Sequence, residues 1–456
     1  MAKVMLILVA VAVCSVAGLA QMYAHNGQVS DSARMHTESA TDSAMLMSPK
    51  HEHIHHSMHS MTAITSLSLP MTRNGSGTGW QPDASPMYAY MNHNIGNGWQ
   101  MMAHGSLFLR QGWVNINNSS KRNATDFDAP NFIMVMLQKH VGTNGLLGFE
   151  AMLSADALTI GGPGYPLLLQ TGETWNNKPL IDRQHPHDVF AALAILYTQR
   201  MNSDVDVSAY VGYPGEPALG PTAFMHRASS IANPDAPLGH HWLDATHIVF
   251  GVSTLGLRVG TVKAEGSIFT GKEPNEDRYD FDRPLFDSYS WRVSWAPSSK
   301  IVAQLSQGYL HEPEAFSSAN ITRTTASIQF ASGDRSAWWT GIIAVGQNDA
   351  GHDHKEWAVL AEASVDLEGT IPFVRAEWVQ KTEDELQLIS PTSHGSIENI
   401  GALSAGIAQR LTSIYNTDVS VGTKATVNMI SSELELVYGT TPLSVQVFLR
   451  LTPKLL

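Results

Sequence analysis

The chain has 456 residues, of which only 15% are charged, and its formal net charge is −13. Soluble globular domains average roughly 25% charged residues. No basic patch interrupts the acidic balance, which argues against nucleic acid as a partner. After the first twenty residues no segment approaches the roughly 18 consecutive apolar residues that a membrane-spanning helix needs, so helical membrane proteins are also excluded.

Residues 1–20, MAKVMLILVAVAVCSVAGLA, have the layout of a secretory signal peptide. Lys3 precedes an apolar stretch that is too short for a transmembrane anchor, and small residues at 18–20 offer a cleavage site. Cleavage would remove Cys14, the only cysteine, so the mature chain would have neither disulfides nor thiolate ligands. We therefore expect an exported protein, either a soluble periplasmic protein or an outer-membrane β-barrel.

Residues 21–79 lack apolar periodicity, and we expect a disordered tail and linker there. Residues 21–62 contain seven histidines and six methionines. Imidazole suits Cu(II), Zn(II) and Ni(II), whereas thioether is a soft ligand that selects Cu(I), so the mixture favours copper. The alternative is a solvated low-complexity tail that binds nothing. The candidate copper ligands in the tail are His25, His36, His51, His53, His55, His56, His59, Met45, Met47, Met58 and Met61.

From about residue 101 onward the sequence has the period of two that is typical of β-strands. In SYSWRVSWAP (288–297), for example, the aromatic residues fall on one face and the serines with Arg292 on the other. The predicted strands are 101–115, 130–140, 145–156, 187–199, 203–213, 244–257, 260–271, 286–297, 299–311, 321–332, 335–348, 354–366, 371–381, 400–412, 415–427 and 443–452.

The connections between these strands alternate between short turns and long loops. Outer-membrane barrels have short periplasmic turns and long outer loops, whereas a two-sheet sandwich has no reason to separate them. We therefore predict an all-β fold, a transmembrane antiparallel β-barrel of about 16 strands (14–18) that covers residues 80–456. It would contact the lipid of the outer membrane of a Gram-negative-type bacterium, with the tail in the periplasm. The pattern defines no oligomeric state.

Several charged residues lie on the polar face of predicted strands. A barrel would point them into a wet lumen, where they cost little, whereas an unpaired charge on a soluble core face costs several kcal/mol. The simplest interpretation is that these charges keep a channel hydrated. The predicted lumen residues are Arg292, Glu362, Arg375, Glu377 and Arg450.

Three of the predicted long connections have unusual compositions. They are GYPLLLQTGETWNNKPLIDRQHPHDVF (164–190), GYPGEPALGPTAFMHRASSIANPDAPLGHHWLDATH (212–247) and the acid-rich TGKEPNEDRYDFDRPLFD (270–287). Loops of this length often fold inward in barrels. Histidines with acidic partners could bind a metal, or could form a structural hydrogen-bond network. The residues concerned are Asp182, His185, His187, Asp188, His226, His240, His241, Asp244 and His247.

The stretches GWQPDASPMYAY, YPLLLQTGE, DRQHPHD, GEPALGPTAFMHR and HHWLDATHI resemble signatures of a family of uncharacterised exported bacterial proteins. Members of that family tend to accompany copper- and heavy-metal-efflux genes. The resemblance runs from about residue 79 to the C-terminus and implies an outer-membrane barrel in a metal-resistance context. The His/Met-rich tail is also similar to that of copper-resistance protein B. The final TPKLL departs from the terminal aromatic residue that is usual in barrels.

These observations lead to three functional hypotheses. The first is an outer-membrane barrel that handles copper, with copper as the only cofactor expected and metal ions as partners. The second is a general porin or small-solute channel with an incidental tail. The third is a barrel hydrolase that uses the His/Asp loops. It could be a lipase with Ser229 or Ser230 beside His226 and Asp244, although the chain has no G-x-S-x-G motif, or a protease with the His/Asp pairs at 185–188 and 240–244 around a water. We expect no enzymatic activity.

Overall fold

The computed structural model describes residues 61–315, 317–334, 336–351, 355–388 and 396–456. In this part of the chain sixteen long antiparallel strands form a closed barrel, because the first wall strand pairs with the last. The predicted fold class and strand number are thus confirmed. None of the helices in the described residues is long and apolar enough to cross a membrane. Residues 1–60, with most of the predicted copper ligands of the tail, lie outside the described residues.

The strands are β1 Tyr90–Asn92, β2 Trp99–Val114, β3 Ala124–Asp128, β4 Asn131–Val141, β5 Gly145–Leu153, β6 Tyr165–Pro166, β7 Arg183–Gln184, β8 Phe190–Arg200, β9 Val205–Gly212, β10 Val252–Val259, β11 Val262–Phe269, β12 Ser288–Ser298, β13 Ile301–Leu310, β14 Ile321–Gly333, β15 Trp338–Asp349, β16 Lys355–Asp366, β17 Thr370–Thr382, β18 Ile397–Ile414, β19 Thr417–Met429 and β20 Leu443–Pro453. The helices are α1 Asp156–Thr159, α2 His240–Leu243 and α3 Ser432–Tyr438, with 3-10 turns at Met71–Arg73, Phe224–His226, Ala228–Ser230 and Ala245–His247.

The wall of the barrel consists of β2, β5, β8 to β20, and β3 with β4 as one interrupted strand. β3 and β4 pair with successive parts of β2, and the short β1 pairs with the start of β2. β6 and β7 form a separate two-stranded pair. The wall closes where β20 pairs with β2, with Leu451 opposite Leu107.

Side chains along each wall strand alternate between an exposed apolar face and a buried polar face. On β12 the aromatic residues Tyr289, Trp291 and Trp295 are exposed, whereas Ser290 and Arg292 are buried. The alternation follows from the pleat, which points successive side chains to opposite sides of a sheet. Large apolar side chains therefore cover the outside of the wall on strand after strand.

Short turns close one end of the barrel and long connections the other, as predicted. At the turn between β10 and β11, Gly260 has a φ of +58°, a conformation that glycine adopts without a Cβ penalty. The strand predicted at 244–257 begins only at Val252, because residues 244–251 belong to the connection inside the barrel.

Residues 61–89, called here the cap segment, lie inside the barrel at its short-turn end. The sequence analysis assigned residues 61–79 to a disordered linker, and the structure differs. Ser66 Oγ donates to Asp206 Oδ2 (2.6 Å), and Thr198 Oγ1 donates to the carbonyl of Ile64 (2.8 Å). Apolar residues of the segment, such as Ile64 and Trp80, are buried against the wall. They have no strand or helix period, so the sequence pattern did not reveal them.

Residues 213–251, called here the lumen segment, connect β9 to β10 and fold inward through the barrel. Almost the whole segment is buried. The backbone amide of Ala218 donates to Ser267 Oγ on β11 (2.8 Å), and that of Gly220 donates to Ser306 Oγ on β13 (2.9 Å). The predicted inward folding of a long loop is therefore observed, and the segment fills much of the lumen.

Candidate functional site

The predicted lumen residues face inward but are dry. Glu362 on β16 accepts from Arg375 Nε (2.7 Å) and from Arg227 Nε of the lumen segment (3.2 Å). Arg227 Nη1 also donates to Asp244 Oδ2 (2.7 Å). A buried charge is tolerated only when it is paired and hydrogen-bonded. The expectation of a wet lumen is thus corrected at this level, because the lumen segment excludes water from these charges.

The other predicted lumen charges also contact the wall or the lumen segment. Arg292 Nε donates to Glu265 Oε2 on the neighbouring strand β11 (3.1 Å). Glu377 accepts from the backbone amide of Leu238 (2.6 Å). Arg450 Nη1 donates to the carbonyl of Ile231 (2.9 Å). These charges fasten the lumen segment to the wall or hold neighbouring strands together.

Asp235 of the lumen segment is a central residue that the sequence analysis did not select. It accepts hydrogen bonds from Arg110 on β2 and Lys424 on β19, and from Gln446 on β20 (2.8 Å). Its carbonyl accepts from Arg375 Nη1 (2.8 Å). The one acid in the stretch IANPDAPLG was the available signal, but nothing in the sequence showed which wall cations it would meet.

Five histidines that the sequence analysis selected come together in the lumen. Their rings form a closed circle of neighbours, with ring centroids separated by 5.2–6.3 Å. In order around the circle they are His187, His247, His240, His241 and His185. We call this group the histidine cluster. Gly172 fits against it at a φ of +114°, where a Cβ would lie 2.6 Å from the His241 ring.

Protein oxygen atoms orient the rings of the histidine cluster through Nδ1. The ring of His240 donates from Nδ1 to Asp244 Oδ1 (2.7 Å), and His247 donates to the carbonyl of Asp244 (2.7 Å). His187 donates to Asp156 Oδ2 (2.7 Å). The other two rings lie beside acids from separate connections, His241 at 3.2 Å from Glu273 and His185 at 3.4 Å from Glu173.

This anchoring fixes the protonation state of the rings. A neutral imidazole that donates from Nδ1 keeps Nε2 as an acceptor. Burial lowers the pKa of His241 to about 4, and burial with nearby His240 lowers the pKa of His247 to about 3. Within the described residues, Nε2 of His187, His241 and His247 is buried and has no hydrogen-bond partner.

The pKa values of the acids beside the cluster are raised, whereas those of His241 and His247 are lowered. Burial raises the pKa of Glu173 to about 7, despite the nearby positive charge of Arg278. Burial also raises the pKa of Glu273 to about 7. The cluster therefore exposes few full charges to one another at neutral pH, which is consistent with its dry position.

The histidine cluster is not a preformed metal site. In the described part of the chain no group of three or more His, Cys, Asp or Glu side chains has the arrangement needed to hold a metal ion. The observed hydrogen bonds are those of the structural network that was the alternative interpretation of these loops. A metal role for the cluster stays a prediction.

The remaining predicted loop residues lie apart from the circle. Asp182 Oδ1 accepts from the amide of Leu169 (2.6 Å). Asp188 lies 3.5 Å from Arg278. His226 pairs with His104 on β2, which the sequence analysis did not select, with 3.1 Å between Nδ1 of His226 and Nε2 of His104.

No family model matches the chain, and no curated protein matches it. Among solved structures, the fold is similar to an anion-selective porin from Comamonas acidovorans, with a TM-score of 0.48 and 11% identity over 78% of this chain and 99% of the porin. A loop L8 deletion mutant of OmpT, an outer membrane protein of Vibrio cholerae, has a TM-score of 0.45 and 8% sequence identity. The match covers 78% of this chain and 100% of the OmpT mutant. The outer membrane channel DcaP of Acinetobacter baumannii has a TM-score of 0.42 and 7% sequence identity. The match covers 78% of this chain and 97% of DcaP.

These likenesses are too distant to carry an argument about function. The resemblance to copper-associated exported proteins and to copper-resistance protein B likewise stays a prediction, since no matching protein tests it.

The serines of the hydrolase hypothesis take part in the packing of the lumen segment. Ser229 Oγ donates to Glu362 Oε1 (2.8 Å), and Ser230 Oγ accepts from Arg375 Nη2 (2.8 Å). Neither hydrogen bond joins a serine to a histidine base, which nucleophilic catalysis by serine needs. Among the described residues no observation favours the hydrolase hypothesis over the other two.

A cavity of about 500 Å³ opens at the long-connection end of the barrel. Carboxylates line it, and Glu173 connects it to the histidine cluster. Burial and the nearby Glu385 raise the pKa of Glu314 to about 8, because crowded acids disfavour their charged forms. A cation in this cavity would relieve that repulsion. The acids that line the cavity are Glu173, Glu314, Glu356, Asp384 and Glu385.

Proposed function

We propose that this chain is an outer-membrane barrel that admits small cations through a narrow lumen, rather than a wide general porin. The observation that carries the proposal is the lumen segment, residues 213–251. It bonds to inward-facing side chains on strands around the wall, from β2 through β11, β13, β16 and β17 to β19. A segment held on so many sides restricts what can pass beside it.

The outer surface supports a position in the outer membrane. Exposed apolar side chains recur on successive wall strands, including Leu255 on β10, Trp291 on β12 and Ile343 on β15. In water such a surface would be an extended apolar patch, whereas lipid covers it. The short-turn end with the cap segment would then face the periplasm, and the acidic cavity would face outward.

The charge distribution supports cations as the permeating species. Acids line the outer cavity and the chain carries a net charge of −13. A cavity lined by one sign of charge concentrates counter-ions and excludes like charges. The preference is for small cations, because the lumen segment leaves no wide path beside the wall charges that it covers.

Planar-bilayer recording of the purified protein tests this proposal. We expect a small conductance with cation selectivity, measured as the reversal potential in a salt gradient. Replacement of residues 218–247 by a short Gly/Ser linker should raise the conductance several-fold. At pH 9, above the pKa values of about 8 of both Glu314 and Glu356, the double variant Glu314→Gln/Glu356→Gln should move the reversal potential towards that of a non-selective pore. A wide, anion-selective pore in the unmodified protein would contradict the proposal.

We further propose that the tail binds copper on the periplasmic side, close to the cap segment. Its mixed imidazole and thioether composition supports this role, and the first described residue, Met61, is buried where the tail joins the barrel. Deletion of residues 21–60 should lower both copper tolerance and copper bound per outer-membrane barrel. A control tail with each histidine replaced by Gln and each methionine by Leu should behave like the deletion. Unchanged copper content in both would remove the tail's role.

A further inference from the structure

The lumen contains a second, chemically different cavity of about 70 Å³, lined by none of the residues of the histidine cluster. Three parts of the chain line it: the wall strands β2 and β4, the cap segment and the lumen segment. Its lining is rich in thioether side chains from all three parts. The lining methionines are Met71, Met87, Met102, Met136 and Met225.

Methionine is concentrated around this cavity. Nine of the 19 methionines of the chain belong to, or pack against, the single apolar cluster at this place. Met102 and Met136 project inward from adjacent strands of the wall, with Met102 opposite Met136 in the register. Leu or Ile would fill such a space with better-defined rotamers, whereas Met adds polarisable sulfur and adaptability.

Two histidines share the same cavity. His104 comes from the wall and His226 from the lumen segment, and their rings hydrogen-bond to each other (3.1 Å between His104 Nε2 and His226 Nδ1). Both side chains are only partly buried. Within the described residues, no acid or carbonyl anchors either ring, whereas in the histidine cluster Nδ1 of His187, His240 and His247 is bonded to a protein oxygen.

We propose that this cavity is a binding site for Cu(I), formed by methionine sulfurs and the His104–His226 pair. Thioether is a soft ligand that selects Cu(I), and imidazole also binds copper. Flexible methionine side chains can move their sulfurs onto a small ion without moving the backbone. The site is built from the lining alone and does not depend on ion conduction or on the tail.

The competing explanation is that the methionines only fill an irregular core. That explanation predicts no ion binding and no special effect of sulfur. It also gives no reason for two imidazoles from separate parts of the chain to line the same small cavity as five methionines. The two explanations make opposite predictions about a Met→Leu exchange, which keeps volume and apolarity but removes sulfur.

Competition for Cu(I) with bicinchoninate measures the number of ions bound by the full chain in detergent. The test variant is Met102→Leu/Met136→Leu, and the matched control is Met201→Leu/Met429→Leu, because these two methionines lie outside the cavity lining. Wild type and control should bind equal amounts, and the test variant should bind one Cu(I) fewer. A chain whose tail ligands are all replaced should retain that one Cu(I). Equal stoichiometry in wild type and test variant would overturn the proposal.

Nuclear magnetic resonance of methionine methyl groups labelled with ¹³C gives an independent measurement on unmodified protein, with Ag(I) as the redox-stable probe. The methyl signals of Met71, Met102 and Met225 should shift on addition of one equivalent, and those of Met201 and Met429 should not. No shift of cavity signals would overturn the proposal even if a variant misfolds. Bilayer conductance of the test variant should stay at the wild-type value, so failure here and failure of the channel proposal are distinguishable.

Discussion

The histidine cluster and the methionine cavity lie in the same lumen, yet they are built differently. In the cluster, Asp156, Asp244, Glu173 and Glu273 fix or flank the rings on the Nδ1 side, while Nε2 of His187, His241 and His247 has no partner among the described residues. In the methionine cavity the two imidazoles bond only to each other and the sulfurs are unconstrained by charge. The two regions therefore differ in what surrounds their imidazoles: acidic side chains orient the rings of the cluster, whereas thioether side chains surround the paired rings of the cavity.

The largest effect on the free energy of unfolding should come from breaking the buried ion pairs of Glu362 with Arg227 and Arg375. Arg227 also donates to Asp244, which orients a ring of the cluster. Glu362→Gln leaves Arg227 and Arg375 without a shared carboxylate in a buried place. Breaking a buried pair costs about 3–5 kcal/mol of the free energy of unfolding. Urea unfolding of the barrel in lipid vesicles measures this loss of unfolding free energy, with a substitution at an exposed residue, Glu312→Gln, as the control. A change below about 1 kcal/mol would show that water still reaches these charges.

A second effect should appear in the protonation of the cluster. The pKa values of His241 and His247 are lowered to about 4 and about 3, from 6.5. As pH falls below 6.5, the unfolded chain therefore binds protons that these folded rings do not, which favours unfolding. The raised pKa values of Glu173 and Glu273 act oppositely between about 4.5 and 7.

Because the two contributions oppose each other, the rings themselves are the appropriate measurement. In histidine-labelled protein, the nuclear magnetic resonance signals of both rings should stay those of neutral imidazole at pH 5. The urea-unfolded chain should titrate near 6.5. A folded ring of His241 that titrates near 6.5 would mean that the cluster is hydrated, and the contrast with the methionine cavity would then weaken.

A third effect should follow from removing one anchor only. Glu273→Leu takes away the acceptor of His241 Nδ1 and leaves a buried donor unpaired, at a cost of about 1–3 kcal/mol. The ring of His241 should then lose its fixed tautomer, which ¹⁵N shifts report. Glu276→Leu in the same connection is the control, since Glu276 lies outside the cluster. An unchanged tautomer would indicate a different anchor.

The smallest effect on stability should come from the methionine cavity. Met136→Leu conserves volume and removes no hydrogen bond, so the free energy of unfolding should fall by less than about 1.5 kcal/mol. Urea unfolding measures this value alongside Glu362→Gln. A larger loss would show that Met136 has a packing role that Leu cannot take, and that the cavity is as rigid as the cluster.

The wall was predictable because every wall residue faces one of two environments. The alternation of Trp291 and Arg292 on β12, repeated on strand after strand, predicts both the pleat and the inside of the barrel. The contents of the lumen were not predictable in this way. Residues 61–79 pack by shape, without a repeat, and their partners, such as Asp206 for Ser66, lie far away in the sequence.

The histidines of the cluster were selected from DRQHPHD and GHHWLDATH by composition, but their partners were not all within reach of sequence spacing. Asp244 lies four residues after His240, whereas Asp156 and Glu273 come from other connections. His104 was missed, although a signal existed: it interrupts the inward face of β2 between Met102 and Ser106. Inward methionines on β4 and β5 offered the same signal.

The cap segment ties the beginning of the described chain to its end. The amide of Leu456 donates to the carbonyl of Met87 (3.0 Å), and Tyr88 bridges to Leu455. Tyr88 Oη also donates to Asp366 near the short-turn rim (2.5 Å). The β20–β2 seam is thereby held from inside as well as by its own strand pairing, because the enclosed segment contacts both the end of the last strand and the interior of the wall.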